Sequence, residues 1–205
     1  MGTALSNLYE FTMPELPDCG KILQMRNIVL AIREWCMRSQ AWEIDLDDID
    51  IVADQETYQL DSPVEDTEVV ACVHRPSDDV GVKLDGRLLS PGVEYTIEVT
   101  KNMLTLDQTP TAASSAGLTV RVAIAPILSA TATLEVPDRL FSDNQDIWAR
   151  GAMSRLMLMK KKAWTDLETG RMYHAMFWDG IRLAIAERTR GRTNRDLQVQ
   201  YPNFA

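Results

Sequence analysis

The sequence has few of the residues from which catalytic and metal centres are usually built. Its 205 residues include only two histidines and three cysteines, Cys19, Cys36 and Cys72, without a C-x-x-C pair. An odd number of unclustered cysteines predicts neither a disulfide framework nor a zinc ribbon. Cys72 and His74 would supply at most two of the roughly four ligands of a structural zinc site. We therefore expect reduced thiols and no metal.

Common catalytic motifs are also missing. The chain contains no G-x-S-x-G nucleophile elbow and no H-E-x-x-H zinc motif. Gly81 and Gly86 have the spacing of a phosphate-binding loop, but Arg87 and Leu88 stand where that loop needs Lys followed by Ser or Thr. These absences predict a protein that is not an enzyme and that uses no cofactor.

No long apolar run and no strongly basic surface is present. No stretch reaches the roughly 18 apolar residues of a membrane span, and the first residues lack a cationic, then apolar, leader. The net charge is −9: residues 1–137 contain 9 basic and 22 acidic residues, and residues 138–205 contain 12 and 8. The composition predicts a globular chain that neither enters a membrane nor binds DNA tightly.

Helical periodicity marks both ends of the chain. Near the start, a helix ending at about Arg38 or Ser39 is predicted by Ile22, Met25, Val29, Ile32 and Cys36. Near the end, capping boxes at Ser142 with Gln145 and at Thr165 with Glu168 predict helices over 143–162 and 166–189. On the last helix the predicted core stripe is Met172, Tyr173, Met176, Phe177, Gly180, Ile181 and Ala184. Since no single helix can bury such a stripe alone, the helices from the two ends are expected to pack together.

The middle of the chain has strand patterns. Ile44, Leu46, Ile49 and Ile51 alternate with acidic residues, and Tyr58 and Leu60 continue as a strand, which predicts an edge strand rich in carboxylates. β-Branched runs follow between residues 68 and 125. Asp85-Gly86 is a strong hairpin signal, and the small residues from Thr111 to Gly117 predict an exposed loop. We expect both to carry recognition of another protein or of a neighbouring copy.

The fold class predicted from these patterns is α+β. Residues 1–42 and 138–192 form a helical bundle from one N-terminal and two C-terminal helices. Residues 43–137 form a small inserted antiparallel β lobe, and residues 193–205 an extended tail.

The tail has a pattern of its own. Basic residues precede an alternating apolar segment, which suits a strand added to a partner's sheet or laid in a groove. The residues expected to bind this partner are Arg190, Arg192, Arg195, Leu197, Val199, Tyr201 and Phe204.

Five segments in a fixed order resemble the head-to-tail adaptor (connector) proteins of tailed bacteriophages. They are residues 16–42, 56–60, 82–97, 118–126 and 136–184. The first ends in EWCMRSQAW and the last begins VPDRLFSDNQDIWARG. The resemblance covers most of the chain and lies in the order of the segments, whereas residues 196–205 match no portal-clamping segment residue by residue.

The resemblance implies a structural virion protein of the neck, assembled in the host cytoplasm. Such adaptors form a homo-oligomeric ring, usually a dodecamer, that binds the portal protein and presents a surface to the tail or nozzle protein. DNA passes through the ring without sequence-specific binding. The portal protein is then the expected partner of the C-terminal tail.

Two other classes of function stay open on the sequence. One is a β-lobe module that binds a receptor or glycan and is carried on a helical oligomerisation body. The other is a wall-degrading hydrolase that uses carboxylates of the acidic stretch as general acid and base.

Overall fold

The computed structural model describes residues 2–75, 78–98, 102–131 and 133–190. The elements in chain order are β1 (Gly2–Ala4), a 3-10 turn (Leu5–Leu8), α1 (Tyr9–Thr12), α2 (Lys21–Ser39), β2 (Glu43–Ile51), β3 (Thr57–Gln59), β4 (Thr67–Cys72), β5 (Val82–Leu84), β6 (Arg87–Leu88), β7 (Tyr95–Glu98), β8 (Met103–Leu106), β9 (Ser114–Pro126), β10 (Glu135–Pro137), α3 (Asp138–Met157) and α4 (Leu167–Arg190).

Strand β9 is the centre of the largest sheet. It pairs antiparallel with β2 along one edge, and with β4 and β5 along the other. From Leu118 onward its apolar residues are fully buried whichever way they point, including the consecutive residues Val122, Ala123 and Ile124. Burial on both faces requires that other elements cover the sheet.

Helix α2 covers part of this sheet and contacts β9 directly. The Arg33 guanidinium donates a 2.5 Å hydrogen bond to the carbonyl oxygen of Pro126 and forms an ion pair with Glu68 of β4. On another side α2 packs against α3, where the rings of Trp35 and Trp148 meet edge to face with centroids 5.4 Å apart. Helix α2 therefore packs against the sheet on one side and against the other helices on another.

The two ends of the chain pack together as expected. Helix α2 contacts both α3 and α4, and β1 pairs with β10 immediately before α3. Close approach of α3 and α4 depends on glycine: a methyl group on Gly151 would lie 2.6 Å from the Phe177 ring, and one on Gly180 would lie 2.6 Å from Ile147.

The predicted fold class, a helical bundle with a small inserted β lobe, is wrong. The described residues form a mixed α/β structure with four helices and three antiparallel sheets, 39% helix and 28% strand, and the sheets dominate the core. One continuous hydrophobic core runs from Leu5 through β9 to Ile181. The sequence reasoning failed because helical periodicity shows that α2 has an apolar side, but not that β9 is one of the elements covering it.

Several local predictions also need correction. Ser142 lies inside α3, which begins at Asp138, and Asp166 rather than Thr165 caps α4 by accepting the backbone N–H groups of Glu168 and Thr169. The loop predicted from Thr111 to Gly117 is shorter, because β9 begins at Ser114. The extended tail predicted for residues 193–205 lies outside the described residues.

Among those that are described, no helix is long and apolar enough to cross a membrane.

Candidate interaction surfaces

The hairpin and the loop proposed as recognition elements meet at one corner of the large sheet. Asp85 and Gly86 form the tight turn between β5 and β6, both with positive φ, of 48° and 80°. The backbone N–H of Asp85 donates a 2.7 Å hydrogen bond to the carbonyl oxygen of Gly117. The structure thus brings together three of the four residues predicted for this surface.

Gly117 is part of the interior of this corner and not of an exposed loop. It is buried, and a methyl group there would lie 2.5 Å from Ile51 and 2.9 Å from the Asp85 carboxylate. Next to it, the backbone N–H of Ala116 donates to the Asp50 carboxylate. Gly117 therefore positions the corner, whereas Asp85 and Gly86 form its accessible tip.

Thr111 is exposed in the turn between β8 and β9. Its neighbour Pro110 accepts a 2.9 Å hydrogen bond from the backbone N–H of Asp54, which fixes this turn to the connection after β2. We call the exposed residues Asp85, Gly86 and Thr111, which lie in two separate turns, the β corner. It is a rigid support for short turns, which is a common setting for recognition.

The last turn of α4 lies beside the junction of α2 and β2. The Arg188 guanidinium donates to the side-chain oxygen of Gln40, the residue that ends α2 in the left-handed conformation. Arg190 is the last residue of α4. The other residues predicted to bind portal, Arg192, Arg195, Leu197, Val199, Tyr201 and Phe204, lie outside the described part of the chain.

Carboxylates of the acidic strand β2 are held by arginines. Arg75 donates 2.6 Å and 2.8 Å hydrogen bonds to the two oxygens of Glu43, and this bonding raises the pKa of the Arg75 guanidinium. Asp45 accepts a similar two-pronged contact from Arg121. Guanidinium groups that bind both oxygens of a carboxylate fix its position within the sheet. These ion pairs stabilise the sheet, and they lend no support to the hydrolase alternative.

A shallow depression of about 190 Å³ lies on the three-stranded sheet formed by β3, β8 and β7. Glu56, Thr96 and Asp107 are among its lining residues. Residues 43–137 contain two aromatic residues, Tyr58 and Tyr95, and both are buried. Ligand pockets are usually lined by accessible apolar and aromatic side chains. The depression therefore gives little support to the glycan-binding alternative.

Burial keeps the thiols protonated. It raises the pKa of the Cys72 thiol to about 12 and that of Cys36 further, and it also raises the pKa of Cys19. Thiolate is the nucleophile and the metal ligand, so these groups are inert near neutral pH. Within the described ranges, no three His, Cys, Asp or Glu residues lie close enough together to hold a metal ion.

Sequence reasoning missed an exposed apolar side of α4. Met172 and Met176, predicted as core, are 47% and 39% exposed, and Leu183 is 63% exposed. At 100° per residue these three side chains share one side of the helix, away from the buried residues Phe177 and Ile181. The separation was present in the sequence, but the predicted stripe was drawn too wide and included both sides.

A second exposed apolar surface lies near the start of the chain. Phe11 and Met13 are 42% and 44% exposed, and Glu10, Glu15 and Asp18 are exposed beside them. Residues 2–20 contain these three carboxylates and no Lys or Arg.

No protein-family model matches the chain, and no curated protein matches it.

Proposed function

We propose that this protein is a structural component of a bacteriophage neck, which assembles as a ring between portal and tail and lets DNA pass through. The observation that carries the proposal is the ordered set of five sequence segments that resemble head-to-tail adaptor proteins. The folded chain supports it in one respect: four of the five segments include α2, β5, β6 and α3 and parts of β7, β9 and α4, which together build much of the core.

The charge of the chain suits a channel for DNA. Heterologous contacts close into a ring when the rotation between neighbours closes. A ring of about twelve copies, each with a net charge of −9, would carry about −108. An anionic wall repels the phosphate backbone, so DNA slides past it without being retained.

The two proposed contacts lie on different parts of the molecule. Arg188 near the end of α4 binds Gln40, at the junction of α2 and β2, and the tail that follows α4 in the sequence is proposed to bind the portal protein. The β corner is built from the turns after β5 and β8 and is proposed to face the tail component or the next copy.

Co-sedimentation with portal-containing heads tests the proposal. The full chain should sediment with the heads, and deletion of residues 196–205 should abolish this while the truncated protein stays folded. A Thr111→Arg variant is the matched control, because it should bind heads normally but block later tail attachment. Failure of the full chain to bind heads would contradict the neck assignment, and normal binding of the truncated chain would move the portal contact to the folded body.

A further inference from the structure

We infer that, before the portal protein binds, residues 197–201 of the C-terminal tail pair as a strand with the outer edge of β2 in the same copy. The outer edge is the one that faces away from β9. These five residues read Leu-Gln-Val-Gln-Tyr and follow the end of α4 at Arg190 after six intervening residues. The pairing does not depend on the proposed function, but its role in assembly rests on it, because the same tail is proposed to bind portal.

Strand β2 has an unpaired edge in the described part of the chain. Its one strand partner there is β9, and no other described element packs extensively against it. The pairing of β2 with β9 is regular from Glu43 to Leu46, and its register shifts twice between Leu46 and Ile51. Register shifts twist a strand and discourage further pairing, so residues 43–46 are the part of the outer edge best suited to an added strand.

The end of α4 brings the tail close to this stretch. Arg188 donates to Gln40, which precedes Glu43 by three residues. The extended chain between Arg190 and Leu197 spans up to about 20 Å, whereas neighbouring strands lie only about 4.8 Å apart. The tail can therefore reach the outer edge of β2 in its own copy, and the short connection gives it a high effective concentration there.

The regular stretch of β2 has two different faces. Ile44 and Leu46 pack with the hydrophobic core, and Ile44 is only partly buried. Glu43 and Asp45 alternate with them and therefore lie on the opposite face. A strand added at the outer edge has to continue an apolar face and a polar face.

The tail segment has this alternation. Leu197, Val199 and Tyr201 share one face of an extended strand and would continue the apolar face beside Ile44. Gln198 and Gln200 share the other face, where their amide N–H groups would donate to the carboxylates of β2. Addition of an extended segment to a free sheet edge is a common mode of peptide recognition.

Charge favours the tail over a second copy of β2 as the occupant. Strand β2 contains five acidic residues and no Lys or Arg, although two of the five already bind arginines. Residues 188–205 contain four arginines and one acidic residue, Asp196. Edge-to-edge pairing of two β2 strands would place carboxylates opposite carboxylates, which destabilises a strand pair.

Hydrogen exchange measured by mass spectrometry tests the pairing. Deletion of residues 191–205 should speed exchange in peptides that cover residues 43–46 by about tenfold, because the N–H groups of a free edge are exposed to water. Deletion of residues 202–205 alone is the matched control and should leave this exchange unchanged, since Pro202 cannot donate to a strand. Equal exchange in the full chain and in the longer deletion would overturn the pairing. Faster exchange in β4 and not in β2 would also overturn it.

Substitutions in the tail separate its two faces. Leu197→Lys with Val199→Lys puts two charges on the apolar face and should speed exchange in residues 43–46 as much as the deletion does. Gln198→Lys with Gln200→Lys is the matched control, because it puts the same charges beside the carboxylates of β2 and should keep exchange slow. Equal exchange in the two double variants would contradict the assigned alternation and reject the pairing.

The dependence on protein concentration identifies the copy that supplies the tail. Pairing within one copy gives the same exchange in β2 at every protein concentration. Protection that grows with concentration, together with larger species in sedimentation velocity, would mean that the tail comes from a second copy and would overturn the inference.

Binding to portal-containing heads is measured separately and distinguishes the pairing from the neck assignment. On the heads, the wild-type protein should show the fast exchange of the truncated chain in residues 43–46, because the tail has left β2 for portal. Protection that depends on the tail, without head binding, would keep the pairing and reject the neck function. Head binding without such protection in the free protein would keep the neck function and reject the pairing.

Discussion

Helices α3 and α4 have similar apolar patterns but different surroundings. Both carry Leu, Met and aromatic residues at helical spacing, together with a glycine in the stripe. Helix α3 is covered by α2, by α4 and by the N-terminal segment, whereas α4 is covered on one side and leaves Met172, Met176 and Leu183 exposed. The comparison teaches that an apolar stripe marks a surface suited to burial, but does not say whether the same chain covers it.

Replacing one leucine on each helix should give the largest difference. Leu156 of α3 is 0% exposed, and Leu156→Ala should lower the free energy of unfolding by about 2–5 kcal/mol through lost burial and the cavity left behind. Leu183→Ala on α4 is the matched control and should change it by less than about 0.5 kcal/mol. Chemical denaturation measures both. Equal losses would mean that Leu183 is covered within the monomer.

Adding one methyl group between the two helices should have the next largest effect. Gly151→Ala places that group 2.6 Å from the Phe177 ring, which is fixed in the core and cannot move aside cheaply. Overpacking should cost about 1–3 kcal/mol and exceed the helix propensity that alanine gains. A lowered midpoint in thermal and chemical unfolding is expected. A stabilised variant would show that the α3–α4 contact is loose enough to relax.

Buried thiols in the helical layer and in the sheet test whether the two parts unfold together. The thiols of Cys36 in α2 and Cys72 in β4 have raised pKa values because they are buried, to about 12 for Cys72. Above about pH 9 the unfolded thiols ionise and the folded ones do not, so the unfolded state binds fewer protons and stability falls. Each thiol contributes at most about 1.4 kcal/mol per pH unit.

Either Cys36→Ala or Cys72→Ala should make this alkaline decline less steep. The measurement is the free energy of unfolding at several pH values between 8 and about 10.5, a range set by the thiol pKa in the unfolded chain. A decline that is parallel in the wild type and in both variants would show that these thiols are not linked to global unfolding.

The smallest predicted loss lies in the β corner, away from the α3–α4 contact. Gly86 has a φ of +80° and open space around its α-carbon, so Gly86→Ala meets backbone strain without any steric clash. We expect a loss of about 1 kcal/mol. Compared with Gly151→Ala, this variant separates the cost of a positive φ from the cost of crowding. A loss larger than that of Gly151→Ala would contradict the open surroundings of Gly86.

Much of the local structure followed from the sequence. The end of α2 at Ser39, the hairpin at Asp85-Gly86 and the carboxylate-rich edge strand β2 were all read correctly. Each depends on neighbours in the chain: a helix stop, a turn that needs positive φ, and alternation along a strand. The fold class was wrong because it depends on which apolar surfaces meet across long separations, as Arg33 and Pro126 do.

The candidate surfaces were likewise predictable only where near neighbours in the chain determine the local structure. Asp85 and Gly86 could be found from their turn chemistry, because only certain residues adopt that backbone conformation. Gly117 was placed in an exposed loop, and the contact with Ile51 that buries it joins residues 66 positions apart. The exposed apolar side of α4 was not separated from the buried side, because the predicted stripe combined Met172 and Met176 with Phe177 and Ile181.

The sequence by itself determined the types of the main elements and a few of their limits, the negative charge and the scarcity of catalytic groups. These are properties of residues and of their near neighbours in the chain. Only the tertiary structure decided that β9 would be buried on both faces, that α3 would lie between α4 and the N-terminal segment, and that Leu183 would face outward. The physical reason is that the burial of a side chain depends on the elements that surround it. An apolar pattern shows that a surface is suited to burial, but it does not identify the element that packs against that surface.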